Sequence, residues 1–221
     1  MIQLPILFED GEALVIDKPA GLPIDPPRDG GLALENYLEA LKLGFQRVPV
    51  AVHRLDRDTS GCLLLARNPR ALKRFAAAFE AREVEKVYLG IVAGPVDGEA
   101  GTIDLALSKI SSAEQGWRMI PAKQGKPSLT RWRKLAVQAG QTLVEFRPET
   151  GRTHQIRIHA LAGLGTALLG DPVYGQGTGA RRTMLHARAL TVQRGEKPPI
   201  AATAPLPADF AALGFGDVDL G

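Results

Sequence analysis

The stretch VAVHRLDRDTSGCLLLARN, Val50 to Asn68, sets apolar, strand-like residues on either side of a polar interruption that runs from His53 to Gly61. Val50, Val52 and Cys62 to Ala66 are apolar enough to be buried on both faces of a sheet. Between them stand His53, Arg54, Asp56, Arg57, Asp58, Thr59 and Ser60. An unpaired charge is very costly to bury, so a chain that sets this many beside core strands must hold them in a loop at a surface or cleft. Chemistry is expected in that loop. A solvated hairpin turn is the plain alternative, because Asp, Ser, Thr and Gly are ordinary turn residues.

Upstream, Ile6 to Glu9 and Ala13 to Asp17 read as a short hairpin closed at Asp10-Gly11, a favoured turn dipeptide. KPAGLPIDPP, Lys18 to Pro27, must be irregular, since its prolines remove backbone donors and fix the backbone. The spacing of Tyr37, Leu38 and Leu41 predicts a helix over Glu35 to Leu43 that stops at Gly44. Downstream, Asn68 caps a helix that has Pro69 at its first position, and Leu72, Phe75, Ala76 and Phe79 fall at i, i+3, i+4 and i+7 over Pro69 to Arg82.

EKVYLGIVAG, Glu85 to Gly94, reads as a strand in which Tyr88 and Gly90 share a face, and the missing side chain at Gly90 would leave room for a planar ligand against the tyrosine ring. A half-buried core tyrosine is the alternative. Thr102 to Leu107, Leu129 to Val137 and Leu143 to Arg147 carry strand patterning. Ser108 to Ser128 is glycine-rich, basic and without periodicity, so it reads as a long excursion. Trp117 and Trp132 interleave with arginines there, which suits base stacking, although Trp132 within a strand suits a core equally well. Glu149-Thr150-Gly151 marks a turn, and Thr153 to Leu161 predicts a helix with His154, Arg157 and Leu161 on one face. An inward arginine on an apolar helix demands a carboxylate partner.

The 221 residues, 45% hydrophobic and 23% charged, are those of an ordinary globular protein able to bury one sizeable core, and a single domain spanning 1–221 is expected. Glu9, Asp10 and Glu12 stand where a secretion signal would be apolar. The longest uncharged apolar run, Ala160 to Gly170, is too short and glycine-rich to span a bilayer. The lone Cys62 excludes an internal disulfide and reads as a small buried hydrophobe, so a cytoplasmic location is expected. Net charge is only +3 but uneven: residues 1–50 hold eight acidic and four basic side chains, whereas 109–134 hold Lys109, Arg118, Lys123, Lys126, Arg131, Arg133 and Lys134 against Glu114 alone. A basic face of this kind suits a polyanion.

HRLDRDTSG, His53 to Gly61, resembles the signature of the RluA-type pseudouridine synthases, which isomerise uridine in ribosomal and transfer RNA. KPAGL at Lys18, KVY at Lys86, RPETGRTHQIRIHALAGLGTALLGDPVYG from Arg147 to Gly175, MLHARALTV at Met184 and TAPLPADF at Thr203 follow the family's other motifs in order. The resemblance implies an α+β fold, a mixed and mainly antiparallel central sheet flanked by helices. It implies that Asp56 is the catalytic aspartate, Tyr88 the active-site tyrosine and Arg157 the arginine that pairs with the aspartate. It also implies that Arg54 enters the space vacated by a flipped nucleotide, with an ion pair to Asp58 or Glu149 as its alternative role.

RNA contacts are expected from His53, Arg54, Arg152, Lys123, Lys126 and Arg131. Many members of the family carry a small helical RNA-binding domain before the catalytic one; the motifs begin too early here for one, so a monomer holding structured RNA through the catalytic domain is expected. No cofactor and no metal is expected. His154 and His159 stand five apart rather than four, no cysteine cluster exists, Ser60 lacks the hydrolase elbow, and neither a dinucleotide-binding nor a phosphate-cradling glycine pattern is present.

Overall fold

The computed structural model describes residues 3–27, 30–112, 116–216 and 218. The strands in chain order are β1 (Ile6–Glu9), β2 (Ala13–Lys18), β3 (Val50–Ala51), β4 (Ser60–Ala66), β5 (Val84–Val92) and β6 (Ala100–Asp104). They continue with β7 (Leu107–Ser112), β8 (Gly116–Pro121), β9 (Leu129–Gln138), β10 (Gln141–Pro148), β11 (Leu185–Arg194) and β12 (Lys197–Thr203). Two helices matter most, α1 (Pro69–Glu80) and α2 (Gln155–Leu164). The chain divides into two compact units, Met1–Lys86 with His186–Pro205, and Val87–Leu185 with Leu206–Gly221.

In the first unit β1, β2, β3 and β4 pair antiparallel, β11 lies parallel to β4, and β12 returns antiparallel to β11. The expected mixed, mainly antiparallel sheet with helices is what the residues build. Every residue of β4 is buried, as its uninterrupted apolar run requires. Val50 is not: it lies 46% exposed on the two-residue β3, so burial on both faces holds for Cys62–Ala66 alone.

Gly61 takes φ +105, and a Cβ there would stand 2.2 Å from the Ala187 carbonyl oxygen. The glycine that looked like a turn residue is what lets β4 and β11 meet at this point. Helix α1 starts as its sequence dictates, the Asn68 Oδ1 accepting the Ala71 N–H at 2.9 Å with Pro69 next. Ala71 and Phe75 are buried against Val15, Leu64 and Ile200. The helix ends at Glu80, two residues before the expected stop, and Arg82 has turned into the left-handed region at φ 63. Leu34–Lys42 winds as a 3₁₀ helix, with only Leu34 and Leu41 buried, and closes on a left-handed Leu43.

In the second unit β10 lies between β5 and β9, and β6 flanks β9, all antiparallel. The basic excursion is a hairpin rather than a loop: β7 pairs with β8 from Leu107↔Pro121 to Ser112↔Gly116, and the expected excursion's residues 113–115 lie outside the described residues. Leu107 and Met119, on one face of the hairpin, pack with Ile158 and Tyr174, while Lys126 exchanges both backbone hydrogen bonds with Leu107. Serines and single apolar residues hid the alternation, which survives as Trp117 and Met119 on one face with Ile120 on the other. Helix α2 begins two residues later than expected and buries Gln155 to Ala160 almost all round. His154 is therefore its cap and Leu161 is 40% exposed, so the two do not share an inward face with Arg157. Among the described residues, no helix is long and apolar enough to cross a membrane.

Candidate active site

Asp56 belongs to the first unit, and Tyr88 and Arg157 to the second. The Asp56 loop is tied down from below. Leu55 is buried, and the Thr59 N–H donates to the Asp56 carbonyl at 3.1 Å, closing a turn over Arg57 and Asp58. The Arg57 carbonyl, at the crest of that turn, accepts both the Gly21 N–H at 2.9 Å and the Lys18 ammonium at 3.0 Å. Lys18 is fully buried, and its Nζ also donates to the Pro19 and Leu22 carbonyls at 2.9 Å each. A buried lysine satisfied by carbonyls thus clamps the K-P-x-G-L segment onto the loop, leaving the Asp56 side chain half-buried. Sequence reasoning placed this segment correctly but gave Lys18 no role; its position at the end of an apolar strand was the available signal.

Arg54 is exposed and its Nη1 lies 2.6 Å from Asp25 Oδ2, a partner other than the Asp58 or Glu149 considered from sequence. With both side chains more than half exposed, such a pair is worth about 0–1 kcal/mol and holds the arginine only loosely. His53 has a firmer post. Its Nε2 accepts the Leu64 N–H at 3.0 Å and its ring stacks on Phe79 at 4.6 Å, which is the geometry of a structural residue supporting the loop.

Burial, reinforced by the nearby Lys86 charge, lowers the His53 pKa from 6.5 to about 3. Between those values the unfolded chain takes up a proton that the folded chain refuses, so His53 stabilises the fold fully above about pH 6.5 and progressively less below it. Allowing for the ring's partial exposure, about 1 kcal/mol should be lost between about pH 7 and about pH 5. Denaturant titrations at the two pH values should show a smaller difference in His53→Gln than in the native chain; an equal difference would remove His53 as the source.

Tyr88 is half-buried in β5, opposite Phe146 of β10. The space expected beside Gly90 is filled: a Cβ there would meet Leu168 at 2.8 Å and Phe146 at 2.9 Å, so the glycine admits core side chains rather than a ligand. Arg157 is buried and meets a carboxylate, as an inward arginine must. That partner is Asp171, whose Oδ2 and Oδ1 accept from Nε at 2.7 Å and Nη2 at 2.8 Å. Burial by itself would raise the Asp171 pKa. The Arg157 bonds and charge, with N–H donors of Tyr174 and Val173, outweigh it and hold the carboxyl below its ordinary value. Asp171 and Tyr174 sit in the quoted GDPVYG motif, yet their roles depend on contacts that spacing does not reveal.

The basic residues expected to touch RNA are accessible to differing degrees. Lys123 and Lys126 are exposed in the segment after β8. Arg131 is exposed and pairs with Glu149 at 2.6 Å. Arg152 is half-buried, donating from Nε to the Pro127 carbonyl at 3.2 Å. Its turn is locked by Gln155, whose Oε1 accepts the Arg152 N–H and Thr150 hydroxyl and whose Nε2 donates to the Leu129 carbonyl. Among the described residues, no group of three or more His, Cys, Asp or Glu side chains is arranged to hold a metal ion. Cys62 is buried, which pushes its thiol pKa up to about 12.

Comparison with known proteins places these features in context. Residues 12–162 match the RNA pseudouridylate synthase family. The chain is 54% identical over 212 residues to an uncharacterized RNA pseudouridine synthase of Zymomonas mobilis, covering 95% of this chain and 97% of that one. It is 35% identical over 205 residues to the ribosomal large subunit pseudouridine synthase D of the same organism, covering 87% of this chain but only 62% of that protein. Among solved structures, the human RNA pseudouridylate synthase domain containing 1 protein superposes with a TM-score of 0.75 at 31% identity, over 93% of this chain and 84% of that one.

Proposed function

The chain belongs to the RNA pseudouridine synthase family, and from that premise we propose that it isomerises a specific uridine of ribosomal or transfer RNA to pseudouridine, as a monomer and without a cofactor, with Asp56 as the catalytic carboxylate. One observation carries the assignment to Asp56. The Lys18 ammonium and Gly21 N–H converge on the Arg57 carbonyl, fixing the turn whose first residue presents that carboxylate. Rigid support of this kind is what positioning a reacting group requires.

In the reaction, the C–N glycosidic bond of uridine breaks, the uracil turns within the site, and its C5 is joined to C1′ of the ribose. C5 then loses its proton and N1, which kept the electron pair of the broken bond, takes one up, so that uridine and product have the same atoms. Asp56 acts either as a nucleophile on sugar or base or by removing a sugar proton. Tyr88 holds the detached uracil and helps remove the C5 proton. Arg157 is the cationic partner the family resemblance assigns to Asp56. A uridine within a stem must first be extruded, and the exposed Arg54 is the side chain proposed to fill its place.

Release of tritium from uracil C5 in total RNA of a strain lacking the gene, followed by pseudouridine mapping with and without complementation, tests this reading and identifies the substrate. Liberation of free uracil instead would make the protein a glycosylase, and neither product would leave it a binding module.

Binding should depend steeply on salt. If six or so basic side chains neutralise phosphates, affinity falls roughly 10³-fold or more between about 50 and 200 mM salt. Replacing Lys123, Lys126 and Arg131 together by glutamine should reduce the slope of log K against log salt by up to about 3, measured by filter binding. An unchanged slope would return the three to the solvated surface.

A further inference from the structure

Tyr174 stands where the β7–β8 hairpin meets the buried ion pair of the second unit. Its ring lies 5.0 Å from the Arg157 guanidinium carbon. Its hydroxyl accepts the Met119 N–H of β8 at 2.9 Å and lies 2.8 Å from His154 Nδ1. A hydroxyl offers one donor and two lone pairs, and these two bonds engage it from the hairpin on one side and the α2 cap on the other. The His154 ring in turn meets Trp117 of the hairpin edge-on at 4.9 Å, and His154 holds a left-handed φ of 53 to do so. Trp117 is 39% exposed, with the Lys109 ammonium 5.5 Å from its ring. An exposed aromatic ring beside a cation is the chemistry that stacks an unpaired base.

We propose that Tyr174 is a positioning residue, transmitting the position of the β7–β8 hairpin, as set by RNA stacked on Trp117, to the Arg157 guanidinium. This rests on the reading of Arg157 as part of the active site. The ring limits where the guanidinium plane can lie, and the hydroxyl registers that ring against the hairpin backbone. Without the hydroxyl, the buried Met119 N–H loses its acceptor and the hairpin its register, while the ring remains over Arg157. Small misplacements of groups that orient a reacting centre are costly in rate, so the loss appears in the chemical step rather than in binding.

The test measures single-turnover tritium release from C5-labelled total RNA at saturating enzyme, alongside RNA affinity, for the native chain, Tyr174→Phe, Trp117→Ala and the double variant, all below their melting temperatures. Each single variant is expected to lose about tenfold or more in the saturated rate. Tyr174→Phe should bind RNA within about twofold of the native chain, and the double variant should be no slower than the slower single one. Multiplying losses, or losses that track only the folded fraction, overturn the proposal. If Tyr174→Phe fails to fold, Trp117→Ala decides alone: a loss of affinity with the saturated rate intact overturns it, and a loss of saturated rate supports it. A native chain that releases no tritium overturns the enzymatic reading, and this inference with it, before any variant is made.

Discussion

Asp56→Asn is expected to abolish pseudouridine formation while leaving the fold and RNA affinity close to native. The substitution keeps size and shape. It also leaves intact the backbone acceptors that hold the turn, the Asp56 carbonyl taking the Thr59 N–H and the Arg57 carbonyl taking the Lys18 ammonium and the Gly21 N–H. What is lost is the charged oxygen proposed to attack or to take a proton. An acid-base group alone contributes roughly 10²–10⁴-fold, and if the whole isomerisation depends on this carboxylate, as proposed, its loss should cost more than that. Tritium release at the native rate from Asp56→Asn would sink the assignment. Circular dichroism and filter binding of the same sample guard against loss through misfolding.

The variant also separates the catalytic reading from the structural one at Lys18. Lys18→Met should take the ammonium donor from the Pro19 and Leu22 carbonyls and leave the Arg57 carbonyl with the Gly21 N–H alone, lowering stability and activity together, whereas Asp56→Asn is expected to lower activity alone.

Local rules carried much of the fold. Alternation and the Asp10-Gly11 turn gave β1 and β2, whose pairing closes through the Asp10 N–H on the Ala13 carbonyl, and the Asn68-Pro69 cap gave the start of α1 to the residue. These succeed because the deciding contacts lie within a few residues. The hairpin of β7 and β8 is not legible in the same way, because serines and isolated apolar residues blur its alternation and the apolar face it does have, Leu107 and Met119, is completed by Ile158 and Tyr174 from further along the chain.

Distance also explains the site. The motifs pointed to Asp56 and Arg157, but nothing in their spacing says that a lysine 39 residues away in sequence supports the Asp56 turn, or that the carboxylate an inward arginine needs would come from Asp171. Gly90 shows the opposite failure, a correct strand and face with the wrong occupant, because a missing side chain signals close approach without saying of what.

The Arg157–Asp171 pair should carry the largest single effect on stability. Its side chains are 9% and 0% exposed, and Asp171 Oδ1 also accepts the Val173 and Tyr174 N–H groups at 2.9 and 3.0 Å. Asp171→Ala takes both carboxylate oxygens from a buried guanidinium and strips two backbone donors of their acceptor. Removing one partner of a buried pair typically costs about 3–5 kcal/mol. For a chain of this size that corresponds to a melting temperature lower by roughly 6–20 °C.

The acid dependence has a fixed sign. The folded carboxyl lies below its ordinary 3.8, so the pair's contribution is complete above that value and is lost as pH falls through the depressed one; Asp171→Ala should lose the corresponding acid-induced drop. The double variant Arg157→Met, Asp171→Leu should recover the part of the stability owed to the unpaired guanidinium, since buried pairs often exchange for packed apolar residues at little cost, while the Val173 and Tyr174 N–H groups stay without the acceptor that Asp171 gave them. It should recover none of the activity if Arg157 serves the chemistry. Calorimetry that placed Asp171→Ala within about 2 °C of the native chain would show that the pair contributes little to the fold, and a double variant restored in both stability and tritium release would remove Arg157 from the active site.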